Sequence, residues 1–147
     1  METVVLLSFV SLLLLFIKHY IIDFILQTPF QYLNKGTYGH LGGIVHALNH
    51  SMGTTISLIL VAPLISFPFL DYLITVIFLS LLDGILHYHM DWVKVKISNR
   101  YNYKPSTKLG CTNTQATLYY WWLGFDQIFH NLTYVLISYL FTTTVLI

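Results

Sequence analysis

The sequence predicts an all-α, polytopic membrane protein with four transmembrane helices in a bundle. Of its 147 residues, 56% are hydrophobic and only 9% are charged, whereas about 25% of the residues of an ordinary soluble domain are charged. Four mostly apolar stretches each have the roughly 20 residues that a helix needs to cross a hydrocarbon core. They cover approximately residues 3–26, 40–66, 70–97 and 117–147. We therefore expect residues 1–147 to form a single transmembrane four-helix domain.

The composition excludes several other classes of protein. A formal net charge of +1 provides no basic field for nucleic acid and no acidic tail. The single cysteine, Cys111, excludes an internal disulfide and a thiolate metal cage. The first apolar stretch is expected to stay in the protein as a span, because Glu2 replaces the basic start of a secretory signal. Membrane lipids are therefore the expected surroundings, and nothing in the sequence indicates an oligomeric state.

The positions of the basic residues predict the orientation of the chain. Five of the seven Lys and Arg residues lie in or beside the connection that precedes the fourth stretch. By the positive-inside rule this basic loop is cytoplasmic. The loop that carries Lys35 is then cytoplasmic as well, and both termini lie outside. The five basic residues are Lys94, Lys96, Arg100, Lys104 and Lys108.

Histidine and aspartate recur in pairs, four residues apart, in each of the four predicted spans. A spacing of four on a helix brings two side chains to nearly the same face, one turn apart. All four pairs fall in the cytoplasmic half of their spans, whereas segments of the opposite halves, at residues 4–15, 56–62, 73–79 and 135–147, contain no Asp, Glu, Lys, Arg or His. The pairs are His19 and Asp23, His46 and His50, His87 and Asp91, and Asp126 and His130.

Eight imidazole and carboxylate groups at one depth of the membrane predict a bound metal ion. Buried charges are costly unless they are paired or coordinated. Imidazole and carboxylate without thiolate suit Zn²⁺, Mn²⁺ or non-haem iron, and we expect zinc. Because eight groups exceed the four ligands of tetrahedral zinc, either two ions share bridging carboxylates or some groups orient the ligands; we favour two ions. The alternative is a structural network that shares protons.

Asp83 and Lys94 are candidate catalytic residues. Asp83 precedes His87 by one turn, so it is expected to orient an imidazole, to accept a proton, or to form an ordinary hydrogen bond between helices. Lys94 follows the ligand stripe and is expected to hold an anionic headgroup or to neutralise developing charge, or else to mark the membrane boundary. His40 and His89 are not expected among the ligands, because His89 points away from His87 and a capping role suffices for His40.

Four segments carry a resemblance to a known family. They are HYIIDFILQ from residue 19, HALNH from residue 46, HYHMDWVK from residue 87 and FDQIFH from residue 125. In this order they resemble the small polytopic membrane proteins of bacteria and phages grouped as the domain-of-unknown-function family 3307. The resemblance covers most of the chain and implies a bacterial cytoplasmic membrane, or a host cell membrane for a phage-encoded protein. The matching positions are His19, Asp23, Gln27, His46, His50, His87, Asp91, Lys94, Asp126, Gln127 and His130.

These observations predict a metal-dependent hydrolase that acts at the cytoplasmic leaflet on a lipid or lipid-linked ester, amide or phosphate. A looser likeness to small bacterial membrane proteins described as metal-dependent hydrolases implies the same activity. One alternative is an ion or proton transporter, which would need polar groups along a route to both faces. Another is a non-catalytic protein whose helices are stapled by the metal and which acts on a partner. An open coordination position distinguishes the enzyme from the staple.

Overall fold

The computed structural model describes residues 2–146, which form five α-helices joined by short connections. A π-helical turn at Ile21–Ile25 continues the first helix, and single 3₁₀ turns occupy Ala62–Leu64 and Thr107–Leu109. No strand occurs within residues 2–146, which confirms the predicted all-α class. The helices are α1 (Glu2–Tyr20), α2 (Pro29–Asn34), α3 (Leu41–Ile59), α4 (Phe69–Arg100) and α5 (Asn113–Leu146).

Three helical segments are long and apolar enough to cross a membrane, namely Glu2–Ile25, Leu41–Leu64 and Phe69–Arg100. They correspond to the first three stretches predicted from the sequence. Helix α5 has 34 residues but is not among these segments; its apolar residues are interrupted by Asp126, His130 and the threonine run 142–144. Large apolar side chains cover the outward surfaces of the helices, as a membrane protein requires and as a soluble monomer avoids. Examples are Phe9, Phe78, Leu132 and Tyr139, which are 57–64% exposed.

Proline residues set the boundaries of the connections. Pro29 begins α2, where its missing N–H is not needed by the helix. In the same turn the backbone N–H of Thr28 donates to Gln31 Oε1 at 2.8 Å. Pro63 and Pro68 flank the return from α3 to α4, and α4 begins directly after Pro68. Helix α4 continues to Arg100, about one turn beyond the predicted end of its span.

The four long helices pack in the order α1, α3, α4, α5, and α5 returns to contact α1. An apolar core fills the half of this bundle that is remote from the paired His and Asp residues. Hydroxyl groups join α1 to α5 there, since Ser11 Oγ lies 2.8 Å from Ser138 Oγ. Small polar residues of this kind let helices approach closely in an apolar solvent. The fully buried core residues include Leu7, Leu15, Leu58, Val76, Ile137 and Phe141.

Candidate metal centre

The π-helical turn at the end of α1 carries Asp23 into the bundle. Within it the backbone N–H of Leu26 donates to the carbonyl of Ile21, five residues earlier, at 2.9 Å. Such turns are rare and are often found at functional sites. The Asp23 side chain is 10% exposed, more than the other acidic groups of the centre. The helix ends here, so Gln27 reaches the centre from the connection that follows.

Asp23, His46, His50 and His87 form the first group of candidate ligands, with one ligand atom of each within 4.8 Å of the others. Asp23 Oδ1 lies 3.0 Å from both His46 Nε2 and His50 Nε2. It lies 3.7 Å from His87 Nε2, and the Nε2 atoms of His46 and His87 are 3.2 Å apart. Helices α1, α3 and α4 thus direct four side chains at one point.

His87, Asp91 and His130 form the second group. Asp91 Oδ2 lies 3.2 Å from His46 Nε2 and 3.3 Å from His87 Nε2, so the two groups are contiguous. The rings of His87 and His130 stack with their centroids 4.2 Å apart. Asp126 lies beside this group, with its Oδ1 atom 3.4 Å from His130 Nε2. Helix α5 therefore contributes to the same cluster as the other three long helices.

Several of the separations between these atoms are close to those between the ligand atoms of a tetrahedral metal ion. Zinc bonds of about 2.0–2.2 Å place two tetrahedral ligand atoms about 3.3–3.6 Å apart. The five separations given above among Asp23 Oδ1, His46 Nε2, His87 Nε2 and Asp91 Oδ2 are 3.0–3.7 Å.

Several buried polar atoms of the cluster lack a hydrogen-bond partner, which also supports a bound cation. Asp91 Oδ2 is buried and accepts no hydrogen bond from residues 2–146, although two ring nitrogens lie within 3.3 Å. Asp126 Oδ1 and His130 Nε2 are likewise buried without a partner within the same residues. Buried polar atoms normally have a hydrogen-bond partner. Oxygen and nitrogen atoms that point toward one another without a hydrogen-bond donor between them are therefore arranged as the ligands of a cation are. The buried His and Asp groups could therefore hold a metal ion.

Three buried lysine–aspartate pairs surround the cluster, and two of these lysines were not expected from the sequence to take part. Among residues 2–146, Asp23 is the buried aspartate that has no lysine partner. Its nearest basic groups are imidazoles. When the imidazoles are neutral, the four aspartates carry four negative charges and the three lysines carry three positive charges. The cluster therefore has one negative charge that no lysine neutralises. The pairs are Lys18 with Asp83, Lys35 with Asp91 at 2.9 Å, and Lys94 with Asp126 at 2.7 Å.

Lys35 enters the cluster from the connection between α2 and α3. Burial acts to lower the pKa of Lys35, but the charges of Asp91, Asp23 and Asp126 and the hydrogen bond to Asp91 together outweigh this effect, and the pKa lies above its ordinary value. Sequence patterns do not reveal this contact, because the path of a connection has no periodicity. Lys18 was detectable in principle, since a lysine within an apolar span requires a buried counter-charge.

Asp83 belongs to neither group. Its Oδ2 atom accepts hydrogen bonds from Lys18 Nζ and from Thr54 Oγ1, the latter at 2.6 Å. Lys18 Nζ also lies 3.2 Å from His50 Nδ1. Asp83 thus contacts a candidate ligand through Lys18, which agrees with the predicted orienting role. The role as a proton acceptor stays a prediction.

His19 lies at the margin of the cluster, and both of its ring nitrogens are engaged. Its Nε2 atom lies 3.1 Å from Gln127 Oε1, and its Nδ1 atom lies 2.8 Å from the Tyr134 hydroxyl. It is also 3.4 Å from Asp23 Oδ2. On the other side of the centre, Gln27 Nε2 lies 3.0 Å from a ring nitrogen of His46. His19, predicted as a ligand, is therefore better placed to orient Asp23.

The two remaining histidines lie outside both groups, as predicted. His40 directly precedes α3, and its Nδ1 atom accepts a hydrogen bond from the backbone N–H of Gly42 at 3.0 Å. This is the predicted capping role. His89 lies on the exposed side of α4, where its Nδ1 atom donates to the carbonyl of Ile85 at 2.8 Å.

No family model, curated protein or solved structure matches the chain. The resemblance suggested by the ordered His and Asp segments therefore stays a prediction. What the centre does must be inferred from its residues and their geometry.

Proposed function

We propose that the protein is an integral membrane, metal-dependent hydrolase that acts at the cytoplasmic leaflet on a lipid or lipid-linked substrate. The observation that carries the proposal is the convergence of Asp23, His46, His50 and His87, with one ligand atom of each within 4.8 Å of the others and with all three histidines buried. Asp91 Oδ2 faces two ring nitrogens there without a hydrogen bond. A cation satisfies such an arrangement of lone pairs at once.

In the proposed topology α1, α3, α4 and α5 all cross the membrane, with both termini outside and the basic loop in the cytoplasm. The packing of α5 against both α1 and α4 supports the fourth span. Asp126 and His130 of α5 also meet the candidate ligands of the other helices, so α5 shares their depth. The membrane is a bacterial cytoplasmic membrane, or a host cell membrane for a phage-encoded chain, as the family resemblance implies.

Zinc is the proposed ion, with manganese and iron as alternatives, and either one or two ions are bound. Asp23, His46, His50 and His87 would hold one ion, and the neighbouring group of His87, Asp91 and His130 supports a second. When bound, such an ion supplies Lewis acidity toward a carbonyl or phosphoryl oxygen. His19 and the other nearby groups would orient the ligands.

The side of the centre at Asp23 is the proposed substrate side. Asp23 is 10% exposed, whereas Asp91 and Asp126 are 2–3% exposed. An enzyme must keep one coordination position reachable, and Asp23 borders the end of α1 where the chain leaves the helix. Lys94 holds Asp126 and is itself 16% exposed. We assign to it the neutralisation of charge that develops on an anionic substrate.

The second candidate function is that of a non-catalytic membrane protein in which the metal ion serves to hold the helices together. The histidines of the two groups are 0–2% exposed, and structural metal sites are typically closed. Transport has less support, because the opposite half of the bundle is filled by an apolar core whose buried polar groups, within residues 2–146, are hydroxyls rather than charged side chains. Turnover of a substrate distinguishes the hydrolase from the staple.

Elemental mass spectrometry of the detergent-purified protein tests the proposal. The parent is expected to contain zinc, manganese or iron in stoichiometric amount, and His87→Ala and Asp126→Ala are expected to lose it. His89→Ala is the matched control, because it removes an exposed histidine of the same helix and should retain the metal. The loaded parent is then assayed on lipid esters, amides and phosphates. Bound metal without substrate turnover favours the non-catalytic protein whose helices are held together by the metal. A folded parent that takes up none of the three ions overturns the proposal of a metal centre.

A further inference from the structure

An apolar groove of about 400 Å³ runs between α1 and α3 and borders the metal centre. At one end it reaches Ile22 and Asn49, which adjoin Asp23 and His50 in the sequence. From there it runs along the two helices, away from the predicted cytoplasmic side. Its lining includes Ile17, Lys18, Ile21, Met52, Gly53 and Ile56.

Gly53 lets α1 and α3 pack closely at the floor of the groove. A Cβ atom at this position would lie 2.6 Å from Ile22 Cδ1 and 3.3 Å from Lys18 Cδ. The missing side chain therefore leaves room for Ile22 and Lys18, which form the floor. Lys18 contributes its aliphatic stem to this floor, because its ammonium group is turned toward Asp83 and His50.

Asn49 is the polar end of the groove. It is half-buried, and the rest of the lining is apolar apart from Lys18 and Ser57. Its side-chain amide makes no hydrogen bond with any other residue in the range 2–146. An amide that faces hydrocarbon without a partner is unfavourable. A ligand with an apolar body and a carbonyl oxygen at one end would complement this arrangement.

We propose that the groove binds one acyl chain of a membrane lipid, whose ester or amide carbonyl accepts a hydrogen bond from Asn49 Nδ2. Ile17, Met52 and Ile56 are 46–62% exposed along the groove, so it opens sideways to the surface that would face hydrocarbon. A volume of about 400 Å³ lies within the range of about 300–1,000 Å³ that is typical of small-molecule sites.

The direction of the groove agrees with a lipid of the cytoplasmic leaflet. In the proposed topology its polar end lies toward the cytoplasm and its apolar end toward the middle of the bilayer. The inference rests on the proposed function, because it brings the head of the lipid to the side of α3 that carries the metal centre. It also names the acyl chain as the part of the substrate that is recognised outside that centre.

A second groove on the other side of α3 provides a matched control. It has a volume of about 310 Å³ and is lined by Leu48, Tyr88 and His89 among others. Two of its polar side chains already have partners, since Tyr88 accepts a hydrogen bond from the backbone N–H of Gly39 and His89 donates to Ile85, and no Asn or Gln lies in its lining. It therefore lacks the unpartnered amide on which the proposal depends.

Photolabelling in vesicles tests the proposal. The protein is reconstituted in phosphatidylcholine containing a small fraction of phosphatidylcholine with a diazirine in one acyl chain, and labelled peptides are mapped by mass spectrometry. Labelling is expected to concentrate on the α1 and α3 residues of the groove. Met52→Trp should abolish it by filling the groove, whereas Leu48→Trp, which fills the second groove, should not. Asn49→Leu should reduce it about fivefold, as expected for one lost hydrogen bond.

The outcomes separate this inference from the proposed function, because metal content is measured on the same preparations. Labelling that is no stronger in the groove than at outward residues such as Phe78 and Leu132 overturns the inference. The proposed metal centre is unaffected by that result if the parent protein contains metal. Labelling that persists unchanged in both Met52→Trp and Asn49→Leu overturns it as well. A metal-free parent removes the proposed centre, but the labelling pattern still decides whether the groove binds an acyl chain. Asn49→Leu keeps the test valid if the bulkier tryptophan prevents folding.

Discussion

Asp23→Asn separates a metal centre from a network that merely shares protons. Asp23 is the buried aspartate within residues 2–146 that no lysine neutralises, and its Oδ1 atom lies 3.0 Å from two imidazole nitrogens. The substitution keeps the shape of the side chain and removes its charge. In a metal centre this removes an anionic ligand. In a proton-sharing network it removes only the charge that a protonated imidazole would have balanced.

The expected loss of affinity is large. A four-ligand zinc site contributes about 10–16 kcal/mol, so one ligand accounts for about 3–4 kcal/mol, or a loss of about 100- to 1,000-fold. The thermal midpoint of the metal-free protein is expected to stay the same or to rise, because an uncompensated buried charge has been removed. Competition with a fluorescent zinc chelator in detergent measures the affinity, and circular dichroism follows thermal unfolding.

Asp71→Asn is the matched control, because Asp71 is an exposed aspartate in the first turn of α4 and belongs to neither ligand group. It should leave both measurements unchanged. If Asp23→Asn binds zinc as tightly as the parent, Asp23 is not a ligand and the charge argument is wrong. If neither the parent nor the variant binds zinc while Asp23→Asn lowers the midpoint, the proton-sharing network is the better description, because the carboxylate then balanced a protonated imidazole.

Three further predictions concern the scaffold of the centre. Gly84→Ala should destabilise the protein by about 1–3 kcal/mol, because a Cβ there would overlap α3, whereas Gly124→Ala, with open space around it, should stabilise it by about 0.5–1 kcal/mol; thermal unfolding compares the two. His40→Ala should cost about 1 kcal/mol through the lost cap without any change in metal content by elemental analysis. The raised pKa of Lys35 means that its pair with Asp91 contributes fully below the ordinary lysine value of 10.5 and is lost as the pH rises through the higher folded value. The thermal midpoint should therefore fall above that pH, and Lys35→Met should lack this part of the decrease.

Local periodicity explains why much of the centre was predictable. A spacing of four residues on a helix fixes which side chains share a face, and this relation holds whatever the neighbouring helices do. His46 with His50, and His87 with Asp91, therefore meet as expected. The shared depth of the pairs was predicted because each pair lies near the predicted cytoplasmic end of its span, which can also be read along the chain.

The rest depends on contacts that periodicity does not encode. The π-helical turn at Ile21–Ile25 arises where α1 ends beside other helices. The sequence HYIIDFILQ contains no proline or glycine from which this turn could be predicted. Lys35 reaches Asp91 through a connection whose path depends on the packing of α2 against α3. His19 was predicted as a ligand because its spacing from Asp23 is correct. Gln127 and Tyr134, which engage both of its nitrogens, lie more than 100 residues away along the chain.

The buried pair of Lys18 and Asp83 provides a last test, of whether Asp83 has a catalytic role. Lys18→Met alone leaves Asp83 buried without its counter-charge and should destabilise the protein by about 3–5 kcal/mol. Lys18→Met combined with Asp83→Leu replaces the pair by apolar groups and should recover most of that loss, since such replacements are often neutral.

The double variant also bears on His50, because Lys18 Nζ lies 3.2 Å from its Nδ1 atom. Loss of this contact should weaken metal affinity about 10- to 100-fold, the usual effect of removing a group that orients a ligand. If Asp83 only orients His50 through Lys18, a double variant saturated with zinc should turn over substrate as fast as the parent. A zinc-saturated, folded double variant without turnover would instead identify Asp83 as the proton acceptor, because metal occupancy and the ion pair would then no longer account for the loss.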